Sequence, residues 1–244
     1  MELARKLLFK LFPSRCILCG QAVTGAAVRR NIEICSDCFG SLPFNDSCCM
    51  HCALPLADDI RENVLCGRCI KKLPLFDYCY SPFRYEDKII RLVHQLKFAE
   101  KISYARTAGE LLLIKYQAEI QLPEQKPDCL LPVPLHNRRL RQRGFNQSIE
   151  IARVVAEKLA IPIEYNVVER QRSTVTQTGL DAKQRQKNIK GAFCVTGRIK
   201  YKHVLIIDDV VTTGATANEL ARVLKINRVE RVGVLSIARA PVKS

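Results

Sequence analysis

The chain has 244 residues, of which 48% are hydrophobic, with 39 Lys and Arg against 24 Asp and Glu, and 12 cysteines. This apolar content is sufficient for a buried core, which excludes a disordered chain or a fibre, and no apolar run is long enough to predict a membrane-spanning helix. The net charge of +15 favours anionic partners such as phosphates, nucleic acid or anionic lipid, without choosing among them.

The first predicted element is a short basic amphipathic helix at residues 1–12, in which leucines are interspersed with Arg5, Lys6 and Lys10. The segment lacks the uninterrupted apolar region and the cleavage site of a signal peptide, so a reducing, cytoplasmic location is predicted. Two roles stay open for this helix. It could dock on its own domain, which is the more usual role, or contact the inner face of the membrane.

Most of the cysteines lie between Cys16 and Cys79, and in a reducing compartment such clustering favours metal ligands over disulfides. Eight of them form four CxxC pairs, and fifteen residues separate the first pair from the second, a spacing typical of a zinc site. Four thiolates complete a zinc tetrahedron, so the predicted zinc is structural. Sequential and cross-braced pairing both stay open, with Cys48 and His51 as spare residues. The predicted ligands are Cys16, Cys19, Cys35, Cys38, Cys49, Cys52, Cys66 and Cys69.

The zinc module is predicted to end near residue 75, because the composition changes there and Pro74 breaks any continuing element. Within the module, Gly20 and Gly67 follow ligand cysteines, and a positive φ is expected at both. We therefore predict two domains, a helix and zinc-ribbon module at 1–75 and a second domain at 76–244.

The second domain alternates strand-like and helix-like patterns, which predicts an α/β fold with a mostly parallel sheet flanked by helices. The predicted strands are 80–85, 129–133, 163–168, 192–195, 204–207 and 232–237. The predicted helices are 89–96, 104–120, 148–159 and 217–226.

The most informative stretch is residues 204–216, VLIIDDVVTTGAT. An apolar strand ends in Asp208 and Asp209, and a Gly-containing loop leads into a helix whose start is predicted by the capping-box spacing of Thr216 and Glu219. N–H groups at such a helix start bind an anion, and the acids can accept hydrogen bonds from vicinal sugar hydroxyls. The sequence therefore predicts a sugar-phosphate site at the carboxyl edge of a parallel sheet.

These thirteen residues resemble the signature of type I phosphoribosyltransferases, which bind 5-phosphoribosyl 1-pyrophosphate (PRPP) with Mg²⁺. The resemblance implies that Asp208 and Asp209 contact the ribose hydroxyls. It also implies a 5′-phosphate loop made of Val211, Thr212, Thr213, Gly214, Ala215 and Thr216.

Other motifs narrow the resemblance. Four CxxC pairs, the stretch HQLKF at residues 94–98 and the stretch RGFNQS at residues 143–148 are similar to the ComF family (ComFC), which is associated with DNA uptake in natural competence. The resemblance runs from Cys16 to about Arg239. It implies pyrophosphate-side arginines at Arg138, Arg141 and Arg143, and a hood loop with Lys183, Arg185 and Lys187. It further implies single-stranded DNA as a partner, beside a helicase.

Two functions stay open. One is an active phosphoribosyltransferase that transfers ribose 5-phosphate from PRPP to an unidentified acceptor, with arginines stabilising the leaving pyrophosphate. The other is a protein that handles incoming single-stranded DNA and uses its PRPP pocket as a sensor or retains an ancestral activity there. For the second function, aromatic residues such as Phe83 and Phe145 could stack on bases, although core packing is the more usual role.

Overall fold

A computed structural model of the chain describes residues 15–23, 32–57, 63–98, 102–119, 126–172 and 187–241. Its strands are β1 Tyr78–Tyr80, β2 Phe83–Arg84, β3 Cys129–Pro132, β4 Val168–Arg170, β5 Phe193–Val195, β6 His203–Val211 and β7 Arg231–Arg239. Its helices are α1 Ser36–Gly40, α2 Gly67–Lys71, α3 Asp87–Phe98, α4 Ile102–Glu119, α5 Asn137–Arg143, α6 Gln147–Leu159 and α7 Ala215–Ile226. The helix predicted at 1–12 lies outside the described residues.

A parallel sheet forms the centre of the fold, with the strand order β1, β7, β6, β3. The short β2 continues β1 along the same edge of β7. Both β6 and β7 are apolar along most of their length and are buried almost throughout, as expected for strands that are covered on both faces. Together with the flanking helices, this sheet confirms the predicted fold class.

The two faces of the sheet carry separate apolar clusters. Leu205 and Ile207 of β6 pack with α3, α4 and α6 on one face. Val204 and Ile206, which alternate with them, pack with α7 on the other face. The carboxyl end of β6 therefore lies between the two layers, where ligands bind in sheets of this kind.

Two of the predicted ranges do not form one continuous strand each. Residues 80–85 form two strands with a break at Ser81 and Pro82, because proline has no N–H to continue the ladder. Residues 163–168 are not one strand, since only Ile163 pairs with the sheet, at Leu130. The chain then turns into β4, which pairs antiparallel with β5 outside the main sheet.

The cysteine-rich segment folds as two zinc ribbons of the same design. Ribbon 1 comprises the described residues of 15–42, and ribbon 2 comprises the described residues of 47–71. In each, the first CxxC pair forms a knuckle, and the second pair lies at the start of a short helix, α1 in ribbon 1 and α2 in ribbon 2. The domain boundary after residue 75 stays a prediction.

Each knuckle ends in a residue with a positive φ, which is Gly20 at 80° in ribbon 1 and Ala53 at 52° in ribbon 2. The expectation for Gly67 is wrong, because this residue is the first of α2 and the cysteine before it, Cys66, is the N-cap of that helix and does not belong to a knuckle. None of the helices in the described part of the chain has the length and apolarity to span a bilayer.

Candidate functional site

The structure groups the eight predicted zinc ligands sequentially. In each ribbon the four sulfur atoms lie within 4.8 Å of one another. A tetrahedral zinc ion with Zn–S bonds near 2.3 Å requires sulfur separations of about 3.8 Å. The Cys19–Cys35 and Cys52–Cys66 sulfurs are 3.6 Å and 3.7 Å apart, so both sets fit a structural zinc ion. The cross-braced pairing, left open by the sequence, is not the one adopted.

Backbone amides favour the thiolate form of one sulfur in each tetrad. Although burial acts to raise the pKa of Cys16 and Cys49, hydrogen bonds from backbone N–H groups lower both to about 7. In ribbon 2, for example, Cys66 N donates to the sulfur of Cys49 at 3.2 Å. Because zinc binds the thiolate, this arrangement suits metal binding near neutral pH. Cys48 and His51 belong to neither tetrad.

The two acids of the sugar-phosphate motif lie within β6, which extends past the predicted end to Val211. Asp209 is only 7% exposed and its Oδ1 accepts a hydrogen bond from Val210 N at 2.7 Å. Asp208 is more exposed, and its Oδ1 accepts from Asp209 N at 2.9 Å. Because successive strand residues point to opposite faces, Asp209 faces α6 whereas Asp208 faces the β4–β5 hairpin.

The turn after β6 leads directly into α7. Gly214 is the N-cap with φ 79°, a left-handed conformation that favours glycine. Ala215 N donates to Thr213 Oγ1 at 3.3 Å. Backbone N–H groups in the first turn of a helix lack intrahelical acceptors and carry the positive end of the helix dipole, so this turn can hold a phosphate.

The predicted capping box is wrong. The carboxylate of Glu219 does not reach back to the helix start; it accepts a hydrogen bond from Gly191 N at 2.8 Å and pairs with Arg222 at 2.7 Å. Although burial acts to raise the pKa of Glu219, the hydrogen bonds from Arg222 and Gly191 lower it. Glu219 therefore anchors the segment before β5 to α7.

The predicted pyrophosphate-side arginines lie on α5, a helix that was not predicted. Arg138 and Arg141 are exposed on this helix, while Arg143 is half-buried. Arg139, which was not among the predicted site residues, is half-buried beside Arg143. The pKa of Arg139 is lowered, mainly by burial and to a smaller degree by the positive charge of Arg143. The i,i+4 spacing of Arg139 and Arg143, which places them on one helix face, was the available signal.

A second arginine missed as a site residue is Arg170, at the end of β4. Arg170 is 9% exposed. Its pKa is lowered to about 10, mainly by burial and then by the charge of Arg139, while the charge of Asp208 acts in the opposite direction. Arg139, Arg143 and Arg170 thus form a cationic cluster beside Asp208. A cluster of positive groups of this kind favours the binding of an anion.

Gln147, the first residue of α6, lies on the other side of the acids. Its side chain is 4% exposed, and its Nε2 donates to Asp209 Oδ2 at 3.4 Å. Its buried Oε1 has no hydrogen-bond partner among the described residues. Asn146 fixes this helix start, since its Oδ1 accepts from Ser148 N and its Nδ2 donates to Val133 O.

The predicted hood-loop and base-stacking residues are described only in part. Lys183 and Arg185 of the hood loop lie outside the described residues, and Lys187 is exposed. Phe83 is fully buried, so base stacking by Phe83 is wrong, while Phe145 is half-buried.

Comparison with known proteins supports both parts of the architecture. The family description "Double zinc ribbon domain" matches residues 7–75, and "Phosphoribosyl transferase domain" matches residues 146–244. DNA utilization protein YhgH of Salmonella typhimurium is 36% identical over 207 residues, which cover 84% of this chain and 90% of that protein. Competence protein F of Haemophilus influenzae is 32% identical over 245 residues, which cover 96% of this chain and all of that protein. A glutamine PRPP amidotransferase structure from B. subtilis is 18% identical over 57% of this chain and 29% of its own, with a TM-score of 0.38.

Proposed function

This chain belongs to the ComF family, and we propose that it binds PRPP together with Mg²⁺ at the carboxyl edge of β6. One observation carries the proposal: Asp208 and Asp209 stand between a helix-start turn on one side and an arginine cluster on the other. A ligand with vicinal hydroxyls between two anionic groups matches that order of donors and acceptors. PRPP has this constitution, with its ribose between a 5′-phosphate and a pyrophosphate.

Each part of the proposed ligand has a counterpart in the site. The 5′-phosphate accepts hydrogen bonds from N–H groups of the turn around Gly214, and the ribose hydroxyls donate to Asp208 and Asp209. The pyrophosphate lies toward Arg139 and Arg170, where charge-assisted hydrogen bonds are strong. When bound, Mg²⁺ would neutralise part of the pyrophosphate charge through phosphate oxygens and water.

The proposal is tested by calorimetric titration of the full chain with PRPP and MgCl₂. Replacement of Asp209 by Asn removes a carboxylate from the proposed ribose site, and we expect affinity to fall by about ten- to a hundredfold, the range for hydrogen bonds to a charged group. Glu230→Gln is the matched control, because it removes an exposed carboxylate at the opposite end of the sheet. Unchanged affinity in Asp209→Asn would contradict the assignment.

Gln147 gives a second, finer test of the same site. Its buried Oε1 lacks a partner next to Asp209, and a ligand hydroxyl would satisfy it. We expect Gln147→Leu to weaken PRPP binding by about tenfold, since a ligand donor would then face a methyl group. Thermal unfolding should show only a small loss of stability, because the substitution removes a buried unsatisfied acceptor together with one long hydrogen bond to Asp209. A large fall in Tm with unchanged affinity would assign Gln147 a structural role only.

We further propose that the protein handles single-stranded DNA in natural transformation. The names of its relatives support this role, as does the net charge of +15. Exposed basic side chains are available on two elements, with Arg68 and Lys71 on α2 and Arg138 and Arg141 on α5. A helicase partner and a cytoplasmic location stay predictions from the family resemblance.

Fluorescence anisotropy with a labelled oligonucleotide tests DNA binding. The logarithm of the affinity should fall linearly with the logarithm of the salt concentration, and removal of Arg138 and Arg141 should reduce that slope. Affinity that does not respond to salt would contradict this interface. Addition of PRPP to the same titration shows whether PRPP and DNA compete.

A separate assay distinguishes the alternative function. Release of pyrophosphate from PRPP would indicate an active transferase, whereas binding without release would indicate a protein that only binds PRPP.

A further inference from the structure

A buried arginine connects ribbon 2 with the phosphate-binding turn. Arg239 ends β7 and is only 3% exposed. Its Nε donates to the carbonyl of Cys52, a predicted zinc ligand, at 2.9 Å, and its Nη1 donates to the carbonyl of Val211 at 2.9 Å and also to that of Thr212. One guanidinium therefore bridges the zinc knuckle and the two residues that begin the turn.

Three further contacts join ribbon 2 and the residues after it to the turn and α7. The ring of His51, inside the knuckle of ribbon 2, stacks on Phe76 with centroids 5.7 Å apart. Phe76 is 1% exposed, and its Cε1 lies 3.9 Å from the position that a Cβ at Gly214 would take. Next to it, Leu75 N donates to Asn218 Oδ1 in the first turns of α7 at 2.7 Å. The phosphate-binding turn is thus held from behind by ribbon 2 and the residues that follow it.

Ribbon 1 makes comparable contacts, but to other elements. The exposed Arg91 on α3 donates to the carbonyl of Leu18 at 3.2 Å, and Tyr104 on α4 donates to the carbonyl of Ile17 at 3.4 Å. Both carbonyls belong to the knuckle of ribbon 1. These contacts fasten ribbon 1 to helices on the opposite face of the sheet from α7.

Burying a guanidinium is costly unless hydrogen bonds and charge compensate for it. Arg239 donates hydrogen bonds to carbonyls on both elements. A zinc ion with four thiolates carries a net charge of about −2, so the intact centre of ribbon 2 also supplies a nearby counter-charge. If ribbon 2 opened, Arg239 would lose both the Cys52 carbonyl and this charge, and the turn would lose the group that orders its first two carbonyls.

We propose that Arg239 is a positioning residue that couples ribbon 2 to the phosphate-binding turn, so that the turn keeps its ligand-binding form only while ribbon 2 is intact. The coupling to PRPP rests on the function proposed above. The positioning of the turn itself does not, and the two are tested separately.

The experiment compares zinc-loaded Arg239→Gln with Arg91→Gln in the full chain. Each variant removes an arginine that donates to a knuckle carbonyl, one in ribbon 2 and one in ribbon 1. Zinc content, hydrogen exchange of residues 208–218 and PRPP affinity are measured. For Arg239→Gln we expect unchanged zinc content, faster exchange in 208–218 and PRPP affinity lower by about tenfold or more, because contacts from a charged donor are lost. For Arg91→Gln we expect no change in either the exchange of that segment or the affinity.

Each outcome has a distinct meaning. Wild-type exchange in residues 208–218 of Arg239→Gln overturns the proposal, whatever happens to PRPP. Faster exchange together with a wild-type protein that does not bind PRPP supports the positioning role and rejects the proposed function. If Arg239→Gln does not fold, Arg239→Lys replaces it, since a lysine keeps the charge but cannot bridge the carbonyls as a planar fork does; unchanged exchange in that variant also overturns the proposal.

Discussion

The two zinc ribbons share a design but differ in what they hold in place. In both, the residue after the second ligand cysteine has a positive φ and ends the knuckle. The third ligand cysteine is the N-cap of a short helix. Ribbon 1 contributes its apolar side chains to the cluster that contains α3, α4 and α6. Ribbon 2 contributes to the cluster that contains α7, and it contacts the turn that precedes this helix. Two similar modules therefore acquire different roles through the face of the sheet on which they dock.

If the β6–α7 turn binds a phosphate as proposed, this difference gives ribbon 2 a role in supporting that site. A structural zinc ion stabilises a local fold without a large apolar core. Placed behind the β6–α7 turn, such a fold can support a loop whose N–H groups must remain available to a ligand. On ribbon 1 the same stability reinforces helix packing instead.

The largest difference between the ribbons is expected when one zinc ligand is replaced in each of them. Cys38→Ser and Cys69→Ser should each lose one zinc ion per chain and lower the melting temperature substantially, since structural zinc contributes about 10–16 kcal/mol in zinc-finger peptides. Cys69→Ser should also weaken PRPP binding whereas Cys38→Ser should not, because among the described residues it is ribbon 2 that connects to the turn, through Arg239. Metal analysis and calorimetric titration at low temperature measure the two effects.

The control for this pair is a folded sheet, monitored by circular dichroism before each titration. Equal loss of PRPP affinity in Cys38→Ser would show that zinc acts through global stability alone. Equal retention in both variants would show that the turn does not depend on ribbon 2.

Much of this architecture was predictable because local patterns decide it. The CxxC spacing predicted the eight ligands but left their pairing into tetrads open, and the strand, acid pair and glycine of residues 204–216 predicted the β6–α7 turn. Extents were less predictable where a partner distant in sequence decides them. The capping box failed because Gly191 and Arg222 bind Glu219, and neither contact is visible in a four-residue motif.

The missed site residues follow the same logic. The family resemblance implies Arg138 and Arg141, but only the helix α5 shows that Arg139 is half-buried while Arg138 and Arg141 face solvent. Arg170 reaches Arg139 and Asp208 through the β4–β5 hairpin, whose pairing depends on residues 193–195. The role of Arg239 could not be predicted at all, since its acceptors lie 187 and 28 residues away along the chain.

A smaller effect is expected from the aromatic residues behind each ribbon. Phe76→Ala removes the ring between His51 and Gly214, and Phe→Ala at a buried site costs about 3–5 kcal/mol. We expect reduced stability together with weaker PRPP binding. Phe44→Ala is the counterpart for ribbon 1, since Phe44 contacts Phe39 with ring centroids 5.9 Å apart. It should lower stability alone, and weaker PRPP binding in this variant would argue against a division of roles between the ribbons.

The smallest effect is expected from single hydrogen bonds that fasten each ribbon. Asn218→Ala removes the acceptor for Leu75 N at 2.7 Å, and a net loss of about 1 kcal/mol would lower Tm by about 2–4 °C in a chain of this size. Tyr104→Phe removes the longer bond to Ile17 O at 3.4 Å and should lower Tm by less. Because Asn218 lies on α7 and Tyr104 on α4, only the first should also speed hydrogen exchange in residues 208–218. Faster exchange of residues 208–218 in Tyr104→Phe would mean that ribbon 1 also influences the turn, through the sheet. The two ribbons would then differ only in the size of their effect on the turn.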